Sequence, residues 1–191
     1  VITTPTATPT ETTPAVPNDV AGVETDVEIT ADTAELTSGT YYISANLEVT
    51  GALTVPAGAD VTISLNGHTL TVQGSKAMTD DAITDDTGAA ETRHTSIDNQ
   101  GTLTVTGGTL ALSCNDYGIW NTGTLTIEAG VKISSNNLYL IGNLGGTVET
   151  SGELTNTGGD GIVTYGGTVE VNGGKISAPA TNMSCLTIFN R

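Results

Sequence analysis

From residue 99 onward the polar and apolar positions of this chain do not merely alternate; they recur. Cut at its asparagines, the sequence reads NQGTLTVTGGTLALSCNDYGIW (99–120), NTGTLTIEAGVKISSNNLYLIG (121–142), NLGGTVETSGELTNTGGDGIVT (143–164) and YGGTVEVNGGKISAPATNMSCLTIF (165–189). Three units of 22 residues are followed by one of 25. Each holds about three short alternating segments separated by Gly, Asn or Ser turns, with no helical period. Such a repeat predicts a β-solenoid in which each unit is one coil. Alternation assigns the faces: Leu103, Val105, Leu125 and Ile127 point inward and their threonine neighbours outward, with Val148, Val169 and Val171 continuing the columns.

A second inward column is expected along Ile97, Ile119, Ile141, Val163 and Ile188. Asn99, Asn121, Asn143 and Asn190 sit two residues after its members, interrupted at Tyr165. Stacked asparagines suit a tight bend, because each amide can bond the one in the next coil about 4.8 Å away. Gly101, Gly123, Gly145 and Gly167 follow at 22-residue intervals, the expected places for turns with positive φ.

The N-terminal half repeats less regularly. Residues 46–74 alternate through Leu47, Val49, Leu53, Val55, Val61, Ile63, Leu65, Leu70 and Val72. His68 follows an Asn-Gly turn signal and is expected to be a turn residue. Between 73 and 96 the pattern lapses into an acidic insertion. Residues 1–17 are a Thr/Pro tract with Pro5, Pro9, Pro14 and Pro17, which favours an extended arm or linker. The expected organisation is that arm followed by one β-helix domain over 18–191, of six to seven coils and roughly 30 Å long.

Composition narrows the function. The chain has 191 residues, of which 37 are Thr and 24 Gly, and 21 acidic residues against five basic ones give a net charge of −16. That charge repels nucleic-acid phosphates and anionic lipid heads, so neither is an expected partner. No apolar run is long enough for membrane insertion. The chain opens at Val1 and is expected to be a mature or trimmed product, extracellular or at the cell surface.

The stretch TYYISANLEVTGALTVPAGADVTISLNGHTL (40–70), leading into GTLTV and GGT repeats, resembles the opening of pectate-lyase-like right-handed parallel β-helix domains of bacterial cell-surface proteins. The resemblance covers roughly residues 36–191. It implies an all-β fold with right-handed coils, and it is specific for fold rather than function, since such domains occur in enzymes, adhesins and wall proteins.

Enzymes on this fold use carboxylates on adjacent coils with nearby Arg, Lys or His. Here Asp80, Asp81, Asp85 and Asp86 crowd one loop, with Arg93 and His94 just downstream. Carboxylates on one loop are a solvated acidic tip or a calcium candidate before they are a catalytic pair. We therefore expect no enzyme and no cofactor, with calcium at these aspartates as the one metal reading. Cys114 and Cys185 lie about three coils apart, ~14 Å along the axis, too far for a disulfide. Thr102/Thr104 and Thr124/Thr126 form outward rungs of the kind an ice-binding plane needs, but Glu149 and Glu170 interrupt them.

Trp120 and Phe189 hold the same position in their coils, with Tyr117 near the first. Adjacent to inward Ile119 and Ile188 they should face outward, making them the candidate patch for a partner. Two functions fit the sequence best, ahead of a degenerate or unusual polysaccharide-active enzyme. One is a structural subunit that self-associates head to tail into a homopolymeric surface filament by coil-on-coil stacking, expected if residue 191 is the natural end, since the last repeat then stops without a capping segment. The other is a carbohydrate-binding or adhesin module of a larger surface protein.

Overall fold

The computed structural model describes residues 26–84, 90–179 and 188–190, side chains excepted at 79–84, 90–91, 189 and 190. The Thr/Pro arm, Asp85, Asp86 and Cys185 lie outside the described residues. A short strand, β1 (Val27–Glu28), leads in. The first full coil is β2 (Gly39–Tyr42), β3 (Leu47–Val49) and β4 (Leu53–Val55). The second is β5 (Asp60–Ser64) and β6 (Thr69–Val72), then a hairpin of β7 (Lys76–Thr84) and β8 (Ala90–Asn99). Three more coils follow: β9 (Thr102–Thr106), β10 (Thr109–Leu112), β11 (Tyr117–Asn121); β12 (Thr124–Ile127), β13 (Lys132–Ser135), β14 (Tyr139–Leu144); and β15 (Thr147–Thr150), β16 (Glu153–Asn156), β17 (Asp160–Tyr165). The last is β18 (Thr168–Val171), β19 (Lys175–Ser177) and β20 (Ile188–Asn190).

Strands one coil apart pair in parallel and build three sheets: sheet I is β1-β2-β5-β9-β12-β15-β18, sheet II β3-β6-β10-β13-β16-β19, and sheet III β4-β8-β11-β14-β17-β20. The chain is an all-β solenoid of about six coils. Its core is a column of aliphatic residues: Val61, Leu103, Leu125 and Val148 stack in sheet I, and Leu70, Leu110, Ile133 and Leu154 in sheet II. Each is buried on folding, at about 1.5–3 kcal/mol per large aliphatic side chain. One inward place in sheet I falls to Thr150, between Ile127 and Val171. Its hydroxyl satisfies itself locally by accepting from the Gly152 N–H at 3.3 Å.

The asparagine ladder forms. Asn99 Nδ2 donates to Asn121 Oδ1 at 2.7 Å, and Asn121 Nδ2 to Asn143 Oδ1 at 2.7 Å. Asn99, Asn121 and Asn143 also donate to the backbone carbonyls of Thr124, Thr147 and Gly146 respectively. The ladder amides therefore donate both along the column and to carbonyls at the corner, which is why buried amides are tolerated there.

Two columns run differently from the sequence expectation. The next coil is one residue shorter, so Ile141 stacks on Ile162, not Val163, and Asn143 on Thr164, not Tyr165. Val163 consequently leaves the inward column and faces the outer side of sheet III, and Ile188 pairs with Ile162. Thr164 takes the ladder position, its hydroxyl lying 3.4 Å from Asn143 Nδ2 and donating to the Gly166 carbonyl. Asn190 is opposite Thr164 in the backbone register.

The glycine column is Gly101, Gly123, Gly146 and Gly167, with Gly145 beside it. Gly145 and Gly167 have positive φ, but Gly101 and Gly123 do not. Where φ is ordinary the residue is glycine because coils approach closely: a Cβ on Gly123 would run into the Gly101 carbonyl oxygen, and one on Gly146 into that of Gly123. The same carbonyls accept from the Thr124 and Thr147 N–H groups at 2.8 Å. Asn66 and Gly67 both have positive φ (50° and 79°), and the His68 N–H closes the turn on the Leu65 carbonyl at 2.8 Å. Such a turn is type I′, the reason for Asn-Gly there.

The acidic insertion is a β-hairpin. β7 runs antiparallel to β8 through Lys76↔Thr95, Met78↔Arg93 and Asp80↔Glu91, and β8 then continues into the parallel sheet beside β4 and β11. The hairpin is thus rooted in sheet III.

Candidate functional site

The outer face of sheet III is where chemistry gathers, and its geometry starts from a corner. Leu140 and Ile141 are consecutive and both belong to the core, so β14 bends between them and leaves Tyr139 and Gly142 on the outer side. β11 bends likewise, with Gly118 facing the core near Leu112 and both Tyr117 and Trp120 outside.

Those rings do not stand in solvent. Tyr117 stacks on Tyr139 (centroids 5.0 Å apart, planes 20°) and tilts against Trp120 at 4.8 Å, and Trp120 meets Tyr165 at 6.1 Å. Gly142 makes room for them: a Cβ there would stand 2.6 Å from both the Trp120 and Tyr117 rings. Val163, Met78 and Leu144 complete a second, smaller core on the outside of the sheet. Trp120 faces away from the solenoid interior as alternation requires, but it is only 4% exposed and Tyr117 is fully buried. The exposed aromatic patch expected of these residues is therefore a covered one. Alternation gives direction, whereas covering depends on neighbours two coils away and on the hairpin. The Phe189 side chain lies outside the described residues.

Tyr117 donates to or accepts from the Tyr165 hydroxyl at 3.0 Å. Burial above all, then that hydrogen bond and the neighbouring phenols Tyr165 and Tyr139, pushes the Tyr117 phenol far above its ordinary range, with Arg93 pulling weakly the other way.

Charged groups ring this core. Asp116, just before β11, accepts from the His94 backbone N–H at 2.8 Å and lies 3.4 Å from both His94 Nδ1 and Arg93 Nη1. Asp98, one coil below Trp120, accepts on Oδ2 from Lys76 Nζ at 2.6 Å and from Gln100 Nε2 at 2.8 Å, with its side chain only 5% exposed. Lys76 also reaches Thr54 Oγ1 at 3.2 Å. Lys76, Ala77, Met78, Asp98, Gln100, Trp120 and Thr122 enclose a cleft of about 350 Å³.

Of the residues singled out in the sequence, the structure brings together Trp120 and Tyr117. It places Asp80 and Asp81 on β7, whose neighbours Asp85 and Asp86 lie outside the described residues. Among the described residues no three of His, Cys, Asp and Glu converge on a point that could hold a metal. Cys114 is half-buried and free.

Sequence reasoning passed over Asp98, Gln100 and Thr122, although the 22-residue step from Asp98 to Trp120 and from Gln100 to Thr122 was available. Lys76 carried no such signal, because only the hairpin's fold-back brings it there. No family model matches the chain, and no curated protein or solved structure is similar to it at a significant level.

Proposed function

We propose that this chain is a non-catalytic, extracellular structural protein, a stiff rod of the pectate-lyase-like kind found at bacterial surfaces, whose copies stack head to tail. The observation that carries this reading is where apolar surface is exposed. Of four large hydrophobic side chains exposed among the described residues, Val27 (49%), Val171 (46%) and Ile188 (42%) sit on end strands. Val27 and Val171 belong to β1 and β18, the opposite edges of sheet I. An edge strand is a template for another strand, and β1 of one copy laid on β18 of the next would continue the sheet in parallel. Such a contact is heterologous and grows a filament.

Glu28 and Glu170 lie on the same end strands. Their repulsion is screened by salt, so stacking should strengthen as ionic strength rises. Negative-stain microscopy over a concentration series at low and high salt tests the reading. Filaments with an axial repeat of about 30 Å, dispersed by Val171→Asp, are expected; short single rods at every concentration and salt would overturn it. The alternative, a carbohydrate-binding or adhesin module, is favoured by the cleft beside Trp120.

A further inference from the structure

We propose that Asn172, just after β18, is a site of spontaneous covalent modification, losing its side-chain amide as ammonia to become aspartate and isoaspartate. An asparagine deamidates when the backbone nitrogen of the next residue attacks its Cγ. The N–H proton leaves to solvent, a five-membered succinimide closes as the N–Cγ bond forms, and the amide nitrogen departs as ammonia. Water then opens the ring at either carbonyl, giving aspartate or isoaspartate, with no oxidant or cofactor needed. The rate depends on how crowded the attacking nitrogen is and on how freely both partners move. A following glycine is the least crowded and the freest in φ and ψ. The chain has two Asn-Gly pairs, Asn66-Gly67 and Asn172-Gly173, and every other asparagine precedes a residue with a side chain.

Both pairs are exposed, so access to solvent does not separate them; hydrogen bonding does. At the first, the Gly67 N–H donates to the Gly107 carbonyl of the next coil at 2.7 Å. Asn66 Nδ2 donates to the Ile43 carbonyl of the preceding coil at 3.2 Å, and its Oδ1 accepts from Ser64 Oγ at 2.8 Å. The attacking nitrogen is thus held by one neighbouring coil and the amide by the other. At the second pair the backbone is anchored only on either side. The Asn172 N–H donates to the Thr150 carbonyl at 2.8 Å and the Lys175 N–H to that of Gly152 at 3.0 Å. Between them, neither the Gly173 N–H nor the Asn172 side chain has a hydrogen-bond partner among the described residues. A Cβ on Gly173 would meet nothing within 4 Å, so there is room for the ring to close.

Each hydrogen bond that must open before closure slows it about fivefold, so the three at Asn66-Gly67 amount to about a hundredfold. The product puts a new carboxylate beside the exposed Val171 and two residues from Glu170. Isoaspartate also lengthens the main chain by one methylene just ahead of β19. If copies stack on β18, an aged chain meets its neighbour with more like charge and assembles less readily. That consequence rests on the stacking reading; the site itself does not.

The full chain should be aged at neutral and at mildly alkaline pH, folded and in parallel in strong urea, and followed by peptide mapping with fragment sequencing. In the folded chain Asn172 should gain the mass difference between OH and NH2, as aspartate and isoaspartate together. Conversion should be faster at the higher pH, because the attacking nitrogen must shed its proton, and Asn66 should lag about a hundredfold. In urea the two should convert at similar rates, since the hydrogen bonds that protect Asn66 are gone. An Asn172→Ser chain should lack the acidic form that isoelectric focusing otherwise reveals with age. Asn172 intact in the folded chain while it converts in urea, or Asn66 keeping pace with it when folded, would overturn the proposal. So would an Asn172→Ser chain that acidifies at an unchanged rate. Mass reads the modification whether or not copies stack, so failure here and failure of the filament reading are told apart.

Discussion

The two faces of β11 are built by different rules. Inward, Ile119 lies between Ile97 and Ile141, and Asn121 between Asn99 and Asn143, like upon like. Outward, the column through Trp120 reads Asp98, Trp120, Gly142, Val163, with no two alike. The interior repeats because every coil presents the same cross-section to the next. The exterior is complementary: Trp120 and Tyr117 are large where Gly142 is absent of side chain. A repeated column specifies the fold, and a complementary one specifies a place on it.

Breaking the inner rule should cost most. Gly123→Ala puts a methyl into the Gly101 carbonyl, backbone against backbone, and should lose about 4 kcal/mol or prevent folding, read by chemical denaturation. Asn121→Ala removes an amide that accepts from Asn99 and donates to Asn143 and Thr147. It strips the buried Asn143 Oδ1 of its ladder donor and leaves Asn99 with the Thr124 carbonyl alone, for an expected loss of about 3 kcal/mol; a change below about 1 would mean the ladder is ornamental.

The outer rule should break more gently. Gly142→Ala meets ring atoms that can shift, so about 2 kcal/mol is expected together with a red-shifted Trp120 emission. Unchanged emission would place the rings elsewhere.

The smallest effect is conditional on pH. The Tyr117 phenol is held neutral by burial when folded and ionises near pH 10 when unfolded. Its contribution is therefore complete below about pH 10 and declines above it, by up to about 1.4 kcal/mol per pH unit. A Tyr117→Phe variant should flatten that alkaline decline; an identical decline in both proteins would assign it to other groups.

This division also explains what could be read in advance. The solenoid, its coil length and the Asn99–Asn121–Asn143 ladder were legible because identical residues mark equivalent positions. Val163 was misplaced because the coil leading to it is one residue shorter, and cutting the sequence at asparagines hides a shortening that Thr164 absorbs. The covering of Trp120 was illegible for another reason. It needs Tyr139 and Tyr165 from later coils and Met78 from a hairpin that doubles back, none of which shares a column with it in a repeat alignment. The cleft inherits that difficulty through Lys76.

The asparagine ladder has a direction as well as a period. Each amide gives its N–H to the coil that follows, from Asn99 to Asn121 to Asn143. At the start the Asn99 oxygen is buried with no donor among the described residues, because Val55 stands in the coil beneath it. The column is therefore a row of aligned dipoles, negative at Asn99 and positive toward the last coil, each bond polarising the next. A newly laid coil meets an N–H already aimed at it, while growth toward the amino terminus would meet only a bare oxygen. The rod carries an arrow along its corner, and that arrow runs in the order in which a ribosome makes the chain.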